Sequence, residues 1–543
     1  KKQTDIPVKE MDFGAAVPEK PVQEEKKMQA AVPIKEMDFG VVVAEKPIQP
    51  EEKPLPTEKR ESQSVAQAPE MDLSAATKLF DQPVEGELKA QQASPISVEQ
   101  AKRLLQGIPA SPGIASGAVK LLLNPKEMYK IKKGDVLVTK MTNPDYVPAM
   151  KRAAAIVTDE GGITAHAAIV SRELGIPCIV GTREATSVLK EGQRITVDAK
   201  RGIVYEGTVQ FETPEKTHAE QVAAKVVEST PIVTGTKIYV NLAEPDRAEE
   251  VAAKNVDGVG LFRAEFLMAQ LGVHPKKLIK EGQEEKFIES IARGLRKVCA
   301  AFFPRPVVYR ANDFKTNEYK DLEGGAEFEP HEENPMIGYR GCFRYLKDSS
   351  IFKLEVKAIR RVREQFGMKN LWLMIPFVRE VDELKQVKTI MESEGLHRSK
   401  DFKLWIMVEV PSTIFIIDKF IDVGIDGISI GSNDLTQLIL GIDRDNPIVA
   451  EEFDEREESI QVALKHVIGR CNVRGITSSL CGQAPSVFPE FAERLVEYGI
   501  NSMSVNPDVI DVTRRNVAAA EQKLMLKWIC SKEEEKEKPY SMQ

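Results

Sequence analysis

From Pro231 onward the sequence alternates short apolar runs with longer helical stretches, and it does so eight times. Such repetition is typical of a (β/α)8 barrel, in which every parallel strand is followed by a crossover helix. We therefore predict an α/β fold with a TIM barrel over residues 231–530 and a charged tail over 531–543. The runs are IYVNLA (238–243), GVGLFRAE (258–265), VVYRAND (307–313), LWLMIPFVR (371–379), LWIMVEVPS (404–412), GISIGSNDL (427–435), SSLCGQA (478–484) and SMSVNP (502–507).

Polar side chains close five of these eight runs. All strand carboxyl ends of a parallel barrel open on one face, where active sites lie, so we expect these side chains to converge. A single charged strand end is equally well explained by contact with solvent, whereas five together favour a site. They are Arg263, Arg310, Glu409, Asn433 with Asp434, and Cys481.

The residue types at these positions indicate a particular chemistry. Glu409 and Asp434 would follow adjacent strands, and two carboxylates with open positions suit Mg²⁺. Arg263 and Arg310 bind carboxylate or phosphoryl groups in a forked geometry, and Arg340 from PMIGYRG is a candidate to join them. The expected substrate is therefore a small anion. Cys481 is open to two interpretations, a small buried hydrophobe or a proton carrier.

A compact mixed α/β domain is predicted before the barrel, over residues 104–210, because short apolar runs alternate there with turn residues. Residues 165–174 predict a helix that ends at Gly175. His166 lies in the first turn of this helix, and Thr164 is a candidate cap. A histidine in this position is by default structural. Free N–H groups at a helix start also favour an anion, so a nucleophilic role of the imidazole as a phosphohistidine is the alternative interpretation.

The first hundred residues have a different composition and contain a repeat. IPVKEMDFGAAVPEKPVQ (6–23) returns as VPIKEMDFGVVVAEKPIQ (32–49). Rich in Pro, Glu, Lys and Gln and poor in aromatic residues, residues 1–103 are predicted to be a disordered linker. The alternative is that each EMDFG is a docking peptide for a partner. Residues 211–230, which are polar and contain alanines, predict a helical linker.

Composition excludes several classes of protein. The net charge of -8 argues against a nucleic-acid-binding surface. Six cysteines without a CxxC pair disfavour a disulfide scaffold and a structural zinc site, and they favour a reducing cytoplasm. No apolar run reaches about 18 residues, so we expect no membrane span, and no signal peptide is recognisable.

Several longer motifs resemble those of the PEP-utilising enzymes. GGITAHAAIVSRELGIPCIVGT is similar to their phosphohistidine segment, and the barrel motifs follow in the family's order over about residues 107–516. RANDFKTNEY and CGQAPS are most similar to the phosphoenolpyruvate synthase (pyruvate, water dikinase) branch. The other barrel motifs are GVGLFRAEF, EENPMIGYRG, IPFVREVDEL, MVEVPS and IGSNDLTQ.

The resemblance implies a role for each matching residue. His166 would carry the phosphoryl group, and Cys481 would donate and accept a proton. Glu409 and Asp434 would hold Mg²⁺. Pyruvate or phosphoenolpyruvate would contact Arg263, Arg310, Glu409, Gly431, Ser432, Asn433 and Asp434.

The resemblance also implies an ATP-grasp domain ahead of the phosphohistidine domain, and no nucleotide-binding motif precedes His166 here. We therefore expect either a truncated sequence or a separate ATP-binding subunit, and a homodimer formed through the barrel. Three alternatives stay open: a phosphocarrier resembling enzyme I of the sugar phosphotransferase system, an enzyme resembling pyruvate phosphate dikinase, and a non-catalytic scaffold.

Overall fold

The computed structural model describes residues 96–97, 101–142, 146–162, 165–211, 232–263, 265–320, 322–444, 446 and 448–537. The EMDFG repeats and almost all of the predicted helical linker lie outside these residues, as do Thr164 and the end of the charged tail. The predictions made for those segments therefore stay predictions.

An eight-stranded mixed sheet forms the N-terminal α/β unit. Its strands are Arg103–Gln106 (β2), Ile108–Ser111 (β3), Ile114–Leu121 (β4), Val136–Thr139 (β5), Ala155–Thr158 (β6), Cys178–Val180 (β7), Arg194–Asp198 (β8) and Ile203–Glu206 (β9), after the short strand Ile96–Ser97 (β1). The sheet order is β2-β9-β8-β4-β5-β6-β7-β3, and β1 pairs with Val209–Gln210 (β10). The centre, β4 to β7, is parallel, whereas the flanking strands pair antiparallel.

Three short helices belong to this unit: Val147–Met150 (α1), His166–Leu174 (α2) and Ala185–Val188 (α3). Helix α2 agrees with the predicted helix to within one residue. It ends where Gly175 adopts a left-handed conformation with φ of 70°, which a residue without Cβ adopts without strain. The buried Ala167 and Val170 of α2 pack under the sheet, in the same cluster as Phe266 from the barrel. Helix α2 is therefore packed between the two parts of the chain.

The second part is a closed eight-stranded parallel barrel whose strands follow one another in chain order. Pairing between its first and last strands closes it, with Lys237 opposite Ser502. All eight predicted strands are confirmed. They are Lys237–Leu242 (β11), Gly258–Arg263 (β12), Val307–Arg310 (β13), Leu371–Ile375 (β14), Leu404–Val408 (β15), Gly427–Ile430 (β16), Thr477–Leu480 (β17) and Ser502–Val505 (β18). The strands are almost wholly buried, as parallel strands between two covered faces should be. Most of them are apolar runs, whereas β17 (TSSL) and β18 (SMSV) contain buried serines.

Helices cover the outside of the barrel. Their apolar stripes face the strands and make one continuous core with them. The helices are Ala248–Ala252 (α4), Glu265–Leu271 (α5), Pro275–Lys280 (α6), Glu284–Phe302 (α7), Thr316–Tyr319 (α8), Gly325–Phe328 (α9), Gly341–Lys347 (α10), Ser350–Glu364 (α11), Val381–Ser393 (α12), Pro411–Phe415 (α13), Ile417–Asp422 (α14), Ser432–Leu440 (α15), Glu458–Arg474 (α16), Ala484–Val487 (α17), Pro489–Glu497 (α18) and Ile510–Glu537 (α19).

Some elements extend past the limits predicted for the domains. Strand β1 and the start of β2 precede residue 104, and α19 continues beyond residue 530. Asn433 and Asp434 lie in the first turn of α15, whereas the sequence placed them at the end of a strand. The carboxylate of Asp434 is therefore presented by a helix start just beyond the strand.

None of the helices in the described residues combines the length and the apolar character that crossing a bilayer requires. All six cysteines are unpaired, and five of them are buried, whereas Cys530 is exposed.

Replacing Phe352 by alanine should test the barrel core. Its ring is fully buried and stacks on Tyr345 with ring centroids 4.5 Å apart. Phe352→Ala should lower the free energy of unfolding by about 3–5 kcal/mol because it leaves a cavity. Phe415→Ala is the matched control, since that ring is 81% exposed and its loss should change stability by about 0.5 kcal/mol or less. Denaturant unfolding followed by circular dichroism measures both, and equal losses would contradict this assignment of the core.

Candidate active site

One cavity at the mouth of the barrel brings together most of the residues singled out in the sequence. It lies between the carboxyl ends of the strands and helix α2 of the α/β unit. Ser432 is the one predicted site residue that does not line it. The predicted residues that do are His166, Arg263, Arg310, Arg340, Glu409, Gly431, Asn433, Asp434 and Cys481.

His166 is the first residue of α2 and its side chain reaches this cavity. The cap position before it is Ala165, whose backbone is extended and which offers no side-chain hydrogen bond. Instead, the hydroxyl of Thr142 lies 2.8 Å from Nδ1 of the imidazole. Burial, followed by the charges of Lys315 and Arg263, lowers the pKa of His166 to about 3. The imidazole is therefore neutral at physiological pH, with Nε2 free of that hydrogen bond.

The two arginines from adjacent strands are held differently. Arg310 ends β13, and its Nη2 donates to Oε1 of Glu265 at 2.7 Å, so its partner is a carboxylate of the barrel. Arg263 ends β12, and its Nη1 lies 3.1 Å from Oε1 of Glu173, which belongs to α2 of the other domain. In each of the two arginines the buried Nε has no hydrogen-bond partner among the residues that the structure describes. Both guanidinium groups thus retain donors that an anion in the cavity would satisfy.

Glu409 directly follows β15 and is almost completely buried. Its Oε1 accepts a hydrogen bond of 2.6 Å from the backbone N–H of Phe377, which adopts a positive φ of 47°. A Cβ on Gly431 would lie 2.7 Å from Oε2 of Glu409, so glycine is needed there for the carboxylate to fit. Burial and the neighbouring carboxylates of Asp313 and Asp434 raise the pKa of Glu409. This carboxylate is thus crowded by like charge.

Asp434 lies on the same side of the cavity among arginines. Its Oδ2 lies 3.1 Å from Nη2 of Arg340, and its Oδ1 lies 3.1 Å from Nη2 of Arg444. Burial alone would raise the pKa of Asp434, but Arg444 and Arg340 hold it well below its usual range. Arg340 is itself held by Asp313, to which it donates at 3.0 and 2.5 Å. Asp434 is therefore ionised.

The remaining predicted residues divide into two groups. The Asn433 side chain accepts a hydrogen bond from the backbone N–H of Gln483 at 3.1 Å and still faces the cavity. The Ser432 hydroxyl instead donates to Glu455. Cys481 follows β17, lines the cavity and is 4% exposed, and burial raises its pKa to about 11. Cys481 is therefore a neutral thiol with a proton to give.

Sequence reasoning missed several residues of this cavity. Asp313 and Lys315 stand in RANDFKTNEY, three and five positions after Arg310, and Arg444 follows α15 in GIDRDN. Asp313 and Lys315 lie within a quoted motif, which was the available signal for them, whereas Arg444 lies outside the quoted motifs. Glu173, which contacts Arg263, was missed although it lies in the GGITAHAAIVSRELGIPCIVGT segment, and Thr142 lies outside every quoted motif.

No group of three or more histidine, cysteine or acidic side chains in the described residues is arranged to hold a metal ion. The chemistry of the two-carboxylate set still fits a hard cation that keeps open positions. Glu409 is a buried carboxylate with like charges as neighbours, and a cation beside it would relieve that repulsion.

A histidine on a separate α/β domain that faces arginines and carboxylates at a barrel mouth defines a class of group-transfer enzymes. Comparison with known families agrees. Residues 217–522 match the family described as "PEP-utilising enzyme, PEP-binding domain", and residues 131–202 match "PEP-utilising enzyme, mobile domain". The chain belongs to the PEP-utilising enzyme family.

Curated relatives point to one branch of this family. The chain is 53% identical over 448 residues to the probable phosphoenolpyruvate synthase of Staphylothermus marinus, covering 80% of this chain and 53% of the relative. It is 50% identical to the phosphoenolpyruvate synthase of Pyrococcus furiosus, covering 79% of this chain and 52% of the relative. It is 42% identical to that of Pseudomonas aeruginosa, covering 76% of this chain and 54% of the relative. The chain spans about half the length of the curated relatives it matches.

Acid should weaken the packing of the α/β unit over the barrel mouth. An exposed histidine has a pKa of about 6.5, whereas that of packed His166 is about 3. Below about pH 6.5 protons therefore favour any state in which the imidazole reaches water, and the equilibrium shifts by up to about tenfold per pH unit. Energy transfer between labels on the two domains, measured from about pH 5 to 7.5, should show this loss of packing. His166→Gln should remove the part of this pH dependence that comes from protonation of the imidazole. A pH profile in this variant equal to that of the wild type would contradict the role of His166 in the loss of packing.

Proposed function

We propose that this chain transfers a phosphoryl group between His166 and the enolate of pyruvate, and so makes phosphoenolpyruvate as part of a pyruvate, water dikinase. The observation that carries the proposal is the shared cavity, in which a neutral imidazole faces the arginines, carboxylates and thiol of the barrel mouth. The identity to phosphoenolpyruvate synthases over about four fifths of the chain supports it.

The state of His166 suits a nucleophile. A neutral imidazole has a lone pair to offer, and the Thr142 hydroxyl at Nδ1 leaves Nε2 for the phosphoryl group. With phosphoenolpyruvate as donor, the bond from phosphorus to the enol oxygen breaks while a bond to Nε2 forms. The enol oxygen keeps the electron pair. The reverse reaction makes phosphoenolpyruvate from phosphohistidine and the enolate.

The arginines and Cys481 complete the chemistry. Arg263, Arg310 and Arg340 would neutralise the carboxylate and the transferring phosphoryl group. The Cys481 thiol would give its proton to the methylene carbon when phosphoenolpyruvate is consumed, which yields pyruvate. In synthesis the thiolate would take a methyl proton. The raised pKa of Cys481 favours the thiol as the resting form.

Glu409 and Asp434 would hold Mg²⁺. A cation there supplies charge stabilisation for an enolate oxygen. Gly431 and Asn433 line the pocket beside this pair and would contact the substrate. The Ser432 side chain, bonded to Glu455, would position the start of α15 and would not touch substrate with its hydroxyl.

Charging of His166 requires a partner with an ATP site. We propose an ATP-grasp domain or subunit in this role, with residues 104–210 swinging between the two sites about the segment 211–230. The packed position of α2 at the cavity would be one end of that movement. We further propose that residues 1–103 are a linker, that the barrel pairs as a homodimer and that the enzyme is cytoplasmic.

Phosphoenolpyruvate labelled with ³²P and supplied with Mg²⁺ should label the protein on His166. The reason is that the imidazole is neutral and faces the substrate groups. His166→Ala should abolish the acid-labile label, whereas His274→Ala, which changes a fully buried histidine outside this cavity, is the control. Peptide mapping locates the label.

Later steps separate the synthase from the alternatives. Addition of an ATP-grasp subunit with AMP and phosphate should discharge the label into ATP. Discharge of the label only to a partner protein would favour a carrier resembling enzyme I. Discharge that requires AMP and pyrophosphate would favour an enzyme resembling pyruvate phosphate dikinase. Absence of label on the wild-type protein would favour a scaffold.

Cys481→Ala should stop exchange of the pyruvate methyl protons with deuterated solvent. This exchange needs proton transfer and no phosphoryl group, so the loss should be about 10²-fold or more. Proton magnetic resonance in the presence of Mg²⁺ follows it directly. Cys471→Ala removes another buried thiol, in α16 outside the cavity, and should leave the rate unchanged. Exchange at the wild-type rate in Cys481→Ala would remove this residue as the proton carrier.

A further inference from the structure

Glu173 lies on helix α2 seven residues after His166. Two helical turns separate these positions, so both side chains lie on the same face of the helix. This face is directed at the barrel, since His166 lines the cavity and Glu173 contacts Arg263. The nucleophile and a carboxylate therefore approach the substrate groups together.

The contact of Glu173 is with an arginine of the proposed substrate site. Its Oε1 lies 3.1 Å from Nη1 of Arg263, and the Glu173 side chain is 1% exposed. Within the described part of the chain, neither carboxylate oxygen of Glu173 accepts a well-aligned hydrogen bond, and Nε of Arg263 donates none. The pair is thus close but loosely engaged, with donors and acceptors left over on both sides.

Arg263 differs in this respect from the other arginines of the cavity. Arg310, Arg340 and Arg444 are paired with carboxylates of the barrel itself. Among the residues that the structure describes, Glu173 is the one carboxylate within ion-pair distance of Arg263, and it comes from the other domain. The charge of Arg263 is therefore balanced only while α2 is packed against the barrel.

Keeping the carboxylate of Glu173 ionised and buried costs free energy, because its one ion-pair partner is only weakly engaged. Burial raises the pKa of Glu173, while Arg263 and Arg310 oppose that shift. An anion that enters the cavity can offer Arg263 a better forked partner than Glu173 does. Glu173 and the entering anion would then compete for the guanidinium group of Arg263.

We propose that Glu173 is a positioning residue that takes the place of a substrate anion: its carboxylate holds Arg263 while the packed site is empty, and the carboxylate or phosphoryl of an entering substrate displaces it. This inference deepens the proposed function and rests on it. Binding of phosphoenolpyruvate is thereby opposed by the phosphohistidine domain, so that occupancy of the site and packing of α2 are linked through Arg263.

The chain offers a control contact between the same two domains. Nζ of Lys151 lies 2.6 Å from Oε1 of Glu244, and neither residue lines the cavity or touches Arg263. Lys151→Met would weaken packing between the domains without removing an anion from Arg263. It therefore separates loss of packing from loss of competition.

The experiment measures the Kd of phosphoenolpyruvate by titration calorimetry with Mg²⁺ present, in a His166→Gln background that binds without accepting the phosphoryl group. Glu173→Gln should lower the Kd by about ten-fold, since the entering anion no longer displaces a charge. Glu173→Asp keeps the charge on α2 but withdraws the carboxylate from Arg263, and it should also lower the Kd. Lys151→Met should change the Kd by less than about two-fold.

The other outcomes overturn the inference. If Glu173→Asp behaves as the parent while Glu173→Gln binds more tightly, a distant electrostatic effect is responsible and no displacement occurs. An unchanged Kd in Glu173→Gln, or an equal gain in Lys151→Met, excludes competition at Arg263. Absence of binding in every variant, the parent included, would remove the proposed function and this inference with it.

Discussion

The arrangement of the site depends on charge balance in a buried rim. Removing a charge from water costs several kcal/mol unless a partner is close, so every buried guanidinium at the barrel mouth needs a carboxylate. Arg310 has Glu265, and Arg340 joins Asp313 to Asp434. Arg263 alone depends on a residue of another domain. Donors on Arg263 and Arg310 that the described carboxylates leave unsatisfied can therefore bind an anion.

This balance of charges explains how one cavity can hold an ionised carboxylate beside titratable groups that are kept neutral. Arg444 and Arg340 keep Asp434 ionised, while burial and the neighbouring carboxylates disfavour charge on Glu409. Burial, followed by the charges of Lys315 and Arg263, lowers the pKa of His166 in the same cavity and keeps the imidazole neutral. Moving the α/β unit changes the surroundings of His166 most, because it carries that residue out of the field of Lys315 and Arg263. A change in the position of this unit would therefore change the pKa of His166.

Much of the architecture could be predicted from the sequence, since most barrel strands are continuous apolar runs between covered faces, although β17 (TSSL) and β18 (SMSV) contain buried serines. Arg263, Arg310 and Cys481 lie at strand ends as expected, because closure of a parallel barrel brings every carboxyl end to one rim. Two details of the site differ from what the sequence predicted. Asp434 is presented by a helix start and the hydroxyl of Ser432 is bonded to Glu455, and both depend on how a loop turns after its strand.

Local periodicity, turn residues and the phosphohistidine motif determined the (β/α)8 pattern, helix α2 and the candidate nucleophile, because these signals lie within short stretches of chain. Only the tertiary structure decided that Thr142 bonds to His166, that Phe377 adopts the backbone that reaches Glu409, and that Glu173 meets Arg263. Those contacts join residues 24, 32 and 90 positions apart. No short-range pattern records them, since two arise from packing within one domain and the third from packing between domains.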